Sequence, residues 1–192
     1  MRAHVRQSVA LAVVCVLLFG LAYGLLGTAI AQLFFRHQAD GSITASGSTL
    51  IGQNWNGYST TTILHPRWFH GRPDADDPLH ATGRSGESEA ANLGPRSAVL
   101  EKDVHSLVVA WHGVGVNPTT DLVTTSGSGL DPDITPADAV AQIPMVSRAT
   151  GVSAARLRRL VARETSDPEL GFLGSSYVVV LRLNESLSMI ER

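Results

Sequence analysis

The chain has 192 residues, 44% of them hydrophobic and 17% charged, with a formal net charge of −2. That length suits one domain of ordinary size with a tail, and the charge leaves no basic excess to track a phosphate backbone, which excludes nucleic acid as a partner. Lys102 is the sole lysine and Cys15 the sole cysteine, so a phosphate-cradling loop ending in Lys-Ser/Thr, an intrachain disulfide and a cysteine metal cluster are excluded as well.

The chain opens on an apolar run. No charged residue stands between Ser8 and Phe35. As a helix that run would reach roughly 42 Å, against a hydrocarbon core of about 30 Å. Arg2 and Arg6 flank one end, and Arg36 the other with Asp40 close by. This asymmetry predicts residues 1–7 in the cytoplasm, a single membrane span over 8–35 and an extracytoplasmic domain over 36–192. A cleaved signal peptide competes with that reading, because Ala29-Ile30-Ala31 has the small-x-small form of a cleavage site. The apolar run is about twice the length of an ordinary signal core and continues through Leu33-Phe34-Phe35, which favours a retained anchor. Gly20, Gly24 and Gly27 share one face of the predicted helix. Small residues so spaced let another membrane helix approach closely, although glycine is also simply common in such helices.

Residues 37–98 are rich in Gly, Ser, Thr, Asn and Pro and read as strands and long loops. Thr44–Ile51 reads as a weak strand, Tyr58–Leu64 as a Thr-rich strand and Asp74–Pro95 as a long surface loop. Leu100, Val104, Leu107, Val108 and Trp111 then form one helical stripe. Asp121–Thr125 is a short β-prone run leading into the Gly/Ser turn Ser126–Pro132. Thr135-Pro136-Ala137-Asp138 predicts a capped helix start. That helix is expected through Gln142, with Pro144 breaking or kinking it. Ser153 caps a second helix that buries Leu157, Leu160 and Val161 and turns Arg156, Arg158, Arg159 and Arg163 outward. Gly171 and Gly174 bracket a turn, and Tyr177–Leu183 reads as a strand buried on both faces, as in the centre of a sheet. The fold class is α+β: one N-terminal transmembrane helix followed by a single mixed α/β extracytoplasmic domain.

Chemical motifs are sparse. Ser126-Gly127-Ser128-Gly129 lacks the glycine two before Ser128 that a nucleophile elbow needs. His65 and His70, or His105 and His112, have no His-Glu-x-x-His frame. Asp131, Asp133 and Asp138 lack the glycine and terminal glutamate of a calcium loop, so no metal site is expected.

An ordered set of motifs carries a resemblance. It comprises Gly47-Ser48-Thr49-Leu50-Ile51-Gly52-Gln53, Trp68-Phe69-His70-Gly71-Arg72-Pro73, Asn92-Leu93-Gly94-Pro95, Asp121-Leu122-Val123-Thr124 and Ser126–Pro132. Ile134-Thr135-Pro136, Gln142-Ile143-Pro144, Phe172-Leu173-Gly174 and Val180-Leu181-Arg182-Leu183-Asn184 complete it. With the anchor in front, the chain resembles the small C subunit of the Kdp-type potassium-transporting ATPase along nearly its whole length. The resemblance implies a non-catalytic helper in a bacterial cell membrane. Its partners would be a potassium-channel-like subunit and a P-type ATPase subunit. It would stabilise the assembly or raise the pump's ATP affinity, with no tightly bound cofactor and ATP reached through the complex. It also makes Ser126, Gly127, Ser128, Gly129 and Gln142 the candidate nucleotide contacts. Gly20, Gly24 and Gly27 in the anchor, and Gly52, Gln53, Phe69, Arg72 and Asp131 in the domain, become candidate subunit contacts.

The chain departs from the family's usual residues at Asp74, across Ser85–Asn92, at Asp133 (usually His or Asn), at Met145 (usually Arg) and at Val179 (usually Asn). The charge asymmetry also places the nucleotide candidates outside the cell, where ATP is scarce, which favours an indirect effect on ATP affinity. Two readings from other classes stay open: a membrane-anchored exported hydrolase using Ser126 or Ser128, which needs a His and an acid beside that serine, and a binding module released after Ala31.

Overall fold

The computed structural model describes residues 2–55, 64–73 and 88–191, which fall into two compact units, Met1–Ile43 and Thr44–Arg192. Apart from Leu64, the strand expected over Tyr58–Leu64 lies outside the described residues, as does the Asp74–Pro95 loop up to residue 87.

The first unit is helical. α1 (Arg2–Cys15), a π-helical section (Val16–Ala22) and α2 (Tyr23–Phe34) follow one another, and α3 (Arg36–Ala39) adds one turn beyond Phe35. The stretch His4–Phe34, 31 residues, is long and apolar enough to cross a membrane, and its most apolar window is exposed among the described residues. A helix with so apolar a surface needs an apolar medium. One of its hydroxyls is satisfied internally, Thr28 Oγ1 donating to Gly24 O at 3.0 Å. At the far end Asp40 accepts from Gln32 Nε2 at 3.0 Å and sits 3.6 Å from Arg36 Nε.

The second unit is a mixed α/β body. Its first helix, α4 (Ala98–Gly113), is capped by Ser97, whose Oγ accepts from Leu100 N at 3.4 Å. The predicted stripe faces inward: Leu107 and Trp111 are buried, Val104 and Val108 half-buried. Trp111 Nε1 donates to Leu122 O at 3.0 Å. That bond corrects the reading of Asp121–Thr125 as β-prone, since Asp121–Val123 is one 3-10 turn that buries Leu122 and Val123. Thr44–Ile51 also departs from expectation. It is a chain of tight turns closed by Thr44 N on Gly47 O at 2.7 Å, not a strand.

α5 (Pro136–Thr150) begins on the capping box foreseen in the sequence: Asp138 N donates to Thr135 Oγ1 at 3.2 Å and Thr135 N to Asp138 Oδ2 at 2.8 Å. It does not stop near Gln142. It runs through Pro144 and ends at Gly151, whose φ of +75° is the left-handed stop a glycine supplies. α6 (Ala154–Glu164) has the predicted cap at Ser153, the predicted buried face and the four arginines outward.

Among the described residues three short strands join the body: β1 (Asp133–Ile134), β2 (Thr165–Ser166) and β3 (Tyr177–Val179), in the order β1-β3-β2 and antiparallel throughout. β3 is central, as its valines suggested, but it is shorter than the expected Tyr177–Leu183. Val180 N turns to Pro132 O at 3.0 Å. From there α7 (Val180–Ile190) begins, burying Val180, Leu181, Leu183, Asn184 and Leu187. Helices α4 to α7 and the sheet share one core around Phe69, Trp111, Ile143, Met145, Val146, Leu157, Val178 and Leu183.

Candidate functional site

The segment Trp68–Pro73 is a loop threaded through that core, and two buried carboxamides hold it. Asn184 of α7 accepts from Phe69 N at 2.9 Å and donates to Phe69 O at 2.8 Å. Gln142 of α5 does the same for the next residue, accepting from His70 N at 2.8 Å and donating to His70 O at 2.9 Å. Each amide thus pairs with a peptide unit as a neighbouring strand would, satisfying backbone groups that burial would otherwise leave at a cost of about 1–3 kcal/mol each. Phe69, Gln142 and Asn184 are all fully buried.

His70 is buried with them. Its Nε2 donates to His65 O at 2.9 Å, while Nδ1 has no partner among the described residues and the ring meets the Trp111 ring edge-on at 6.0 Å. Burial pushes its pKa down from 6.5 to about 4, with the His65 carbonyl opposing and the His65 ring adding to the fall. His70 is therefore a neutral packing group.

The clamp delivers Arg72 to the surface. Arg72 Nη2 donates to Thr125 O at 2.9 Å and Nε to Thr124 O at 3.4 Å, and Nη1 lies 3.7 Å from Asp131 Oδ2. Two residues the sequence nominated separately, Arg72 and Asp131, thus meet. They line a cleft of about 330 Å3 that also gathers Asp121, Asp133 and Asp138. Asp131 Oδ1 accepts from Asp133 N at 3.0 Å, and Thr119 Oγ1 donates to Asp138 Oδ1. Asp133 Oδ1 is buried without a partner among the described residues. Its pKa is raised from 3.8 to about 6, by burial first and Asp131 second, with Arg182 opposing. The cleft is electronegative, yet among the described residues no group of His, Cys, Asp and Glu is arranged to hold a metal ion.

The Ser/Gly turn adjoins this cleft through Asp131. Ser126 Oγ is buried and makes no hydrogen bond among the described residues. Ser128 Oγ accepts from Leu130 N at 3.1 Å, and Ser128 O takes both Ser88 Oγ and Glu89 N at 3.0 Å. Gly129 has φ +68°, and a Cβ there would sit 2.6 Å from Glu89 O, so only glycine fits. Gly127 is open to solvent. No histidine or carboxylate bonds to either serine among the described residues, so the arrangement a serine hydrolase requires is not assembled there. Gln142 has both ends of its amide committed to His70.

The remaining candidates divide between the two units. Gly52 N donates to Leu130 O at 2.9 Å. Gln53 folds its amide over Gly47 and donates to Ile51 O at 3.1 Å. Between them the turn exposes Leu50 and Ile51. In the first unit, Gly20 lies in the π-helical section, and a side chain added at Gly24 or Gly27 would meet open space. Asn184 was quoted only inside a motif and not nominated. Its signal was an amide on the otherwise apolar face of a helix.

The structure defines a class of protein with one N-terminal helix long and apolar enough to cross a membrane, followed by a mixed α/β body. The family model described as K+-transporting ATPase, c chain (KdpC), matches residues 5–189, and the chain belongs to that family. It is 44% identical to the potassium-transporting ATPase KdpC subunit of Sorangium cellulosum (strain So ce56), over 97% of this chain and 98% of the relative. It is 39% identical to that of Koribacter versatilis (strain Ellin345), over 97% and 95%, and 41% identical to that of Gloeobacter violaceus (strain ATCC 29082 / PCC 7421), over 90% and 89%.

Proposed function

We propose that this chain is the non-catalytic accessory subunit of an ATP-driven potassium uptake complex in a bacterial cell membrane. In this reading it crosses the membrane once with residues 1–7 in the cytoplasm, and its α/β body stands outside. It braces a potassium-channel-like subunit and a P-type ATPase subunit, and raises the ATP affinity of the latter by favouring one state of the pump. A ligand-free subunit does this if its contacts differ between pump states. One observation carries the reading: the family match runs from residue 5 to residue 189, taking in the anchor and the whole body.

The placement of the candidate residues supports contact over nucleotide capture. Both ends of the Gln142 amide are engaged by His70, and the Ser126 hydroxyl is buried. Gly20, Gly24 and Gly27 supply the anchor's close-packing face, and the Leu50–Ile51 turn beside Gly52 and Gln53 supplies an apolar contact on the body. The test is affinity purification of the tagged full chain from detergent-solubilised membranes of its own host. A P-type ATPase subunit co-purifying in fixed ratio is the expected result, and recovery of the chain alone would overturn the reading.

A further inference from the structure

The β2–β3 hairpin carries a tip that neither the fold nor the clamp explains. Leu170, Phe172 and Leu173 are 82%, 73% and 49% exposed, side by side on one turn. The turn is built, not slack. Glu169 N donates to Leu173 O at 3.0 Å and Leu173 N returns to Glu169 O at 2.9 Å, while Gly171 N reaches Pro168 O at 3.0 Å. Leu170 holds φ +54°, a region a leucine enters only when its surroundings impose it, and Gly171 follows at +79°. The base is pinned to the central strand by the pairs Thr165↔Val178 and Ser166↔Tyr177. Asp167 and Glu169, both exposed, form an acidic collar beneath the apolar tip.

We propose that Leu170–Leu173 is a docking peg that enters an apolar pocket rimmed by basic side chains on another polypeptide of the pump. This rests on the subunit reading given above. The collar decides the partner's chemistry. Segments that rest in a lipid surface surround their apolar face with Lys and Arg, and two carboxylates would be repelled by anionic headgroups. A basic-rimmed protein pocket complements them. Size decides the manner of binding. Three side chains fall well short of the roughly 1,000 Å2 that a self-standing association buries. The peg therefore suits a partner already held nearby by other contacts, where tethering raises its effective concentration. A second copy of this chain is the rival occupant. A cleft of about 300 Å3 on α6 and α7, lined by Arg156, Arg159, Leu160, Arg163 and Ile190, has the matching character, but the tip and this cleft by themselves fall short of the area a free pair requires.

The experiment places a photo-reactive benzoylphenylalanine at Phe172 of the full chain in its native membrane, beside affinity purification of the wild-type chain. The expected product is an adduct with a different polypeptide. Leu170→Ser should lower its yield at least about tenfold, since burying one leucine accounts for about that factor in affinity, and Asp167→Lys with Glu169→Lys should lower it likewise. All three residues are solvent-exposed, so wild-type membrane levels of each variant are expected. An adduct only with lipid, an adduct only with a second copy, or no adduct while the wild-type chain still purifies with a pump subunit would overturn the peg and leave the subunit reading standing. Failure of the wild-type chain to purify with any pump subunit would overturn both.

Discussion

His70 and Asp133 make opposite contributions to the pH dependence of folding. His70 is held neutral, its pKa lowered from 6.5 to about 4. As pH falls from 6.5 towards 4 the unfolded chain takes up a proton that the fold refuses. This stability is complete above 6.5 and lost on acidification, on the order of 3 kcal/mol in full. Asp133 is raised from 3.8 to about 6, so the fold binds its proton the more tightly. That contribution is present below 3.8 and fades as pH climbs to about 6. Asp133 is only half-buried and solvent screens it, so His70 dominates and the melting midpoint should rise between pH 4 and 6.5. The cause at Asp133 is local. It faces Val179 across the β1–β3 pair. A valine side chain offers no donor, and Asp133 Oδ1 has no partner among the described residues. Asp133→Asn should raise the midpoint at pH 7, leave it nearly unchanged at pH 4, and steepen the climb between them. Melting curves across that range check this, and an equal gain at both ends would contradict the assignment to charge.

At the scale of the elements, α5 shows why a proline need not end a helix. Pro144 supplies no N–H, which frees the carbonyl of Val140. Both residues lie on the exposed face, where water takes that carbonyl, while Gln142, Ile143, Met145 and Val146 hold the opposite face in the core. Pro144→Ala should stabilise the body. The helix gains a bond and loses a clash, about 3 kcal/mol on propensity scales, less about 1 kcal/mol for the looser unfolded chain. A net gain of about 1–2 kcal/mol in denaturant titration is expected, and a loss would show that packing depends on the local distortion. The same contest between local pattern and tertiary burial set how much was legible in advance. The capping box at Thr135, the α4 stripe and the arginine face of α6 are local patterns, and each was readable. Val178-Val179-Val180 read as one long strand because its valines outweighed the spacing of Leu181, Asn184 and Leu187, which only burial makes decisive. Of the candidate site, Arg72 and Asp131 were named singly, but not their pairing. The amide clamp was out of reach, since its partners stand 72 and 115 residues apart in the chain and any buried amide can bond a backbone so distant.

For the whole molecule, the orientation of the anchor decides which compartment sees the cleft and the hairpin tip. Two arginines, Arg2 and Arg6, precede the uncharged run Ser8–Phe35, and one, Arg36, follows it. Arg36 lies 3.6 Å from Asp40, which also accepts from Gln32. Positive charge near a span resists translocation, so the end with more arginine should stay in the cytoplasm and the body should be carried across. The chain provides a clean background for testing this, because Cys15, its sole cysteine, lies within the apolar helix, where an aqueous reagent has no access. Ala155→Cys puts a thiol on the exposed side of α6 with no buried contact to disturb. A membrane-impermeant maleimide added to intact cells should label this variant as fully as it does after permeabilisation, with the parent chain unlabelled in both. Labelling confined to permeabilised cells would put the body in the cytoplasm. The Ser/Gly turn and its cleft would then stand where ATP is abundant, and the case for an indirect effect on ATP affinity would have to be rebuilt from the committed amide of Gln142 and the buried hydroxyl of Ser126 alone.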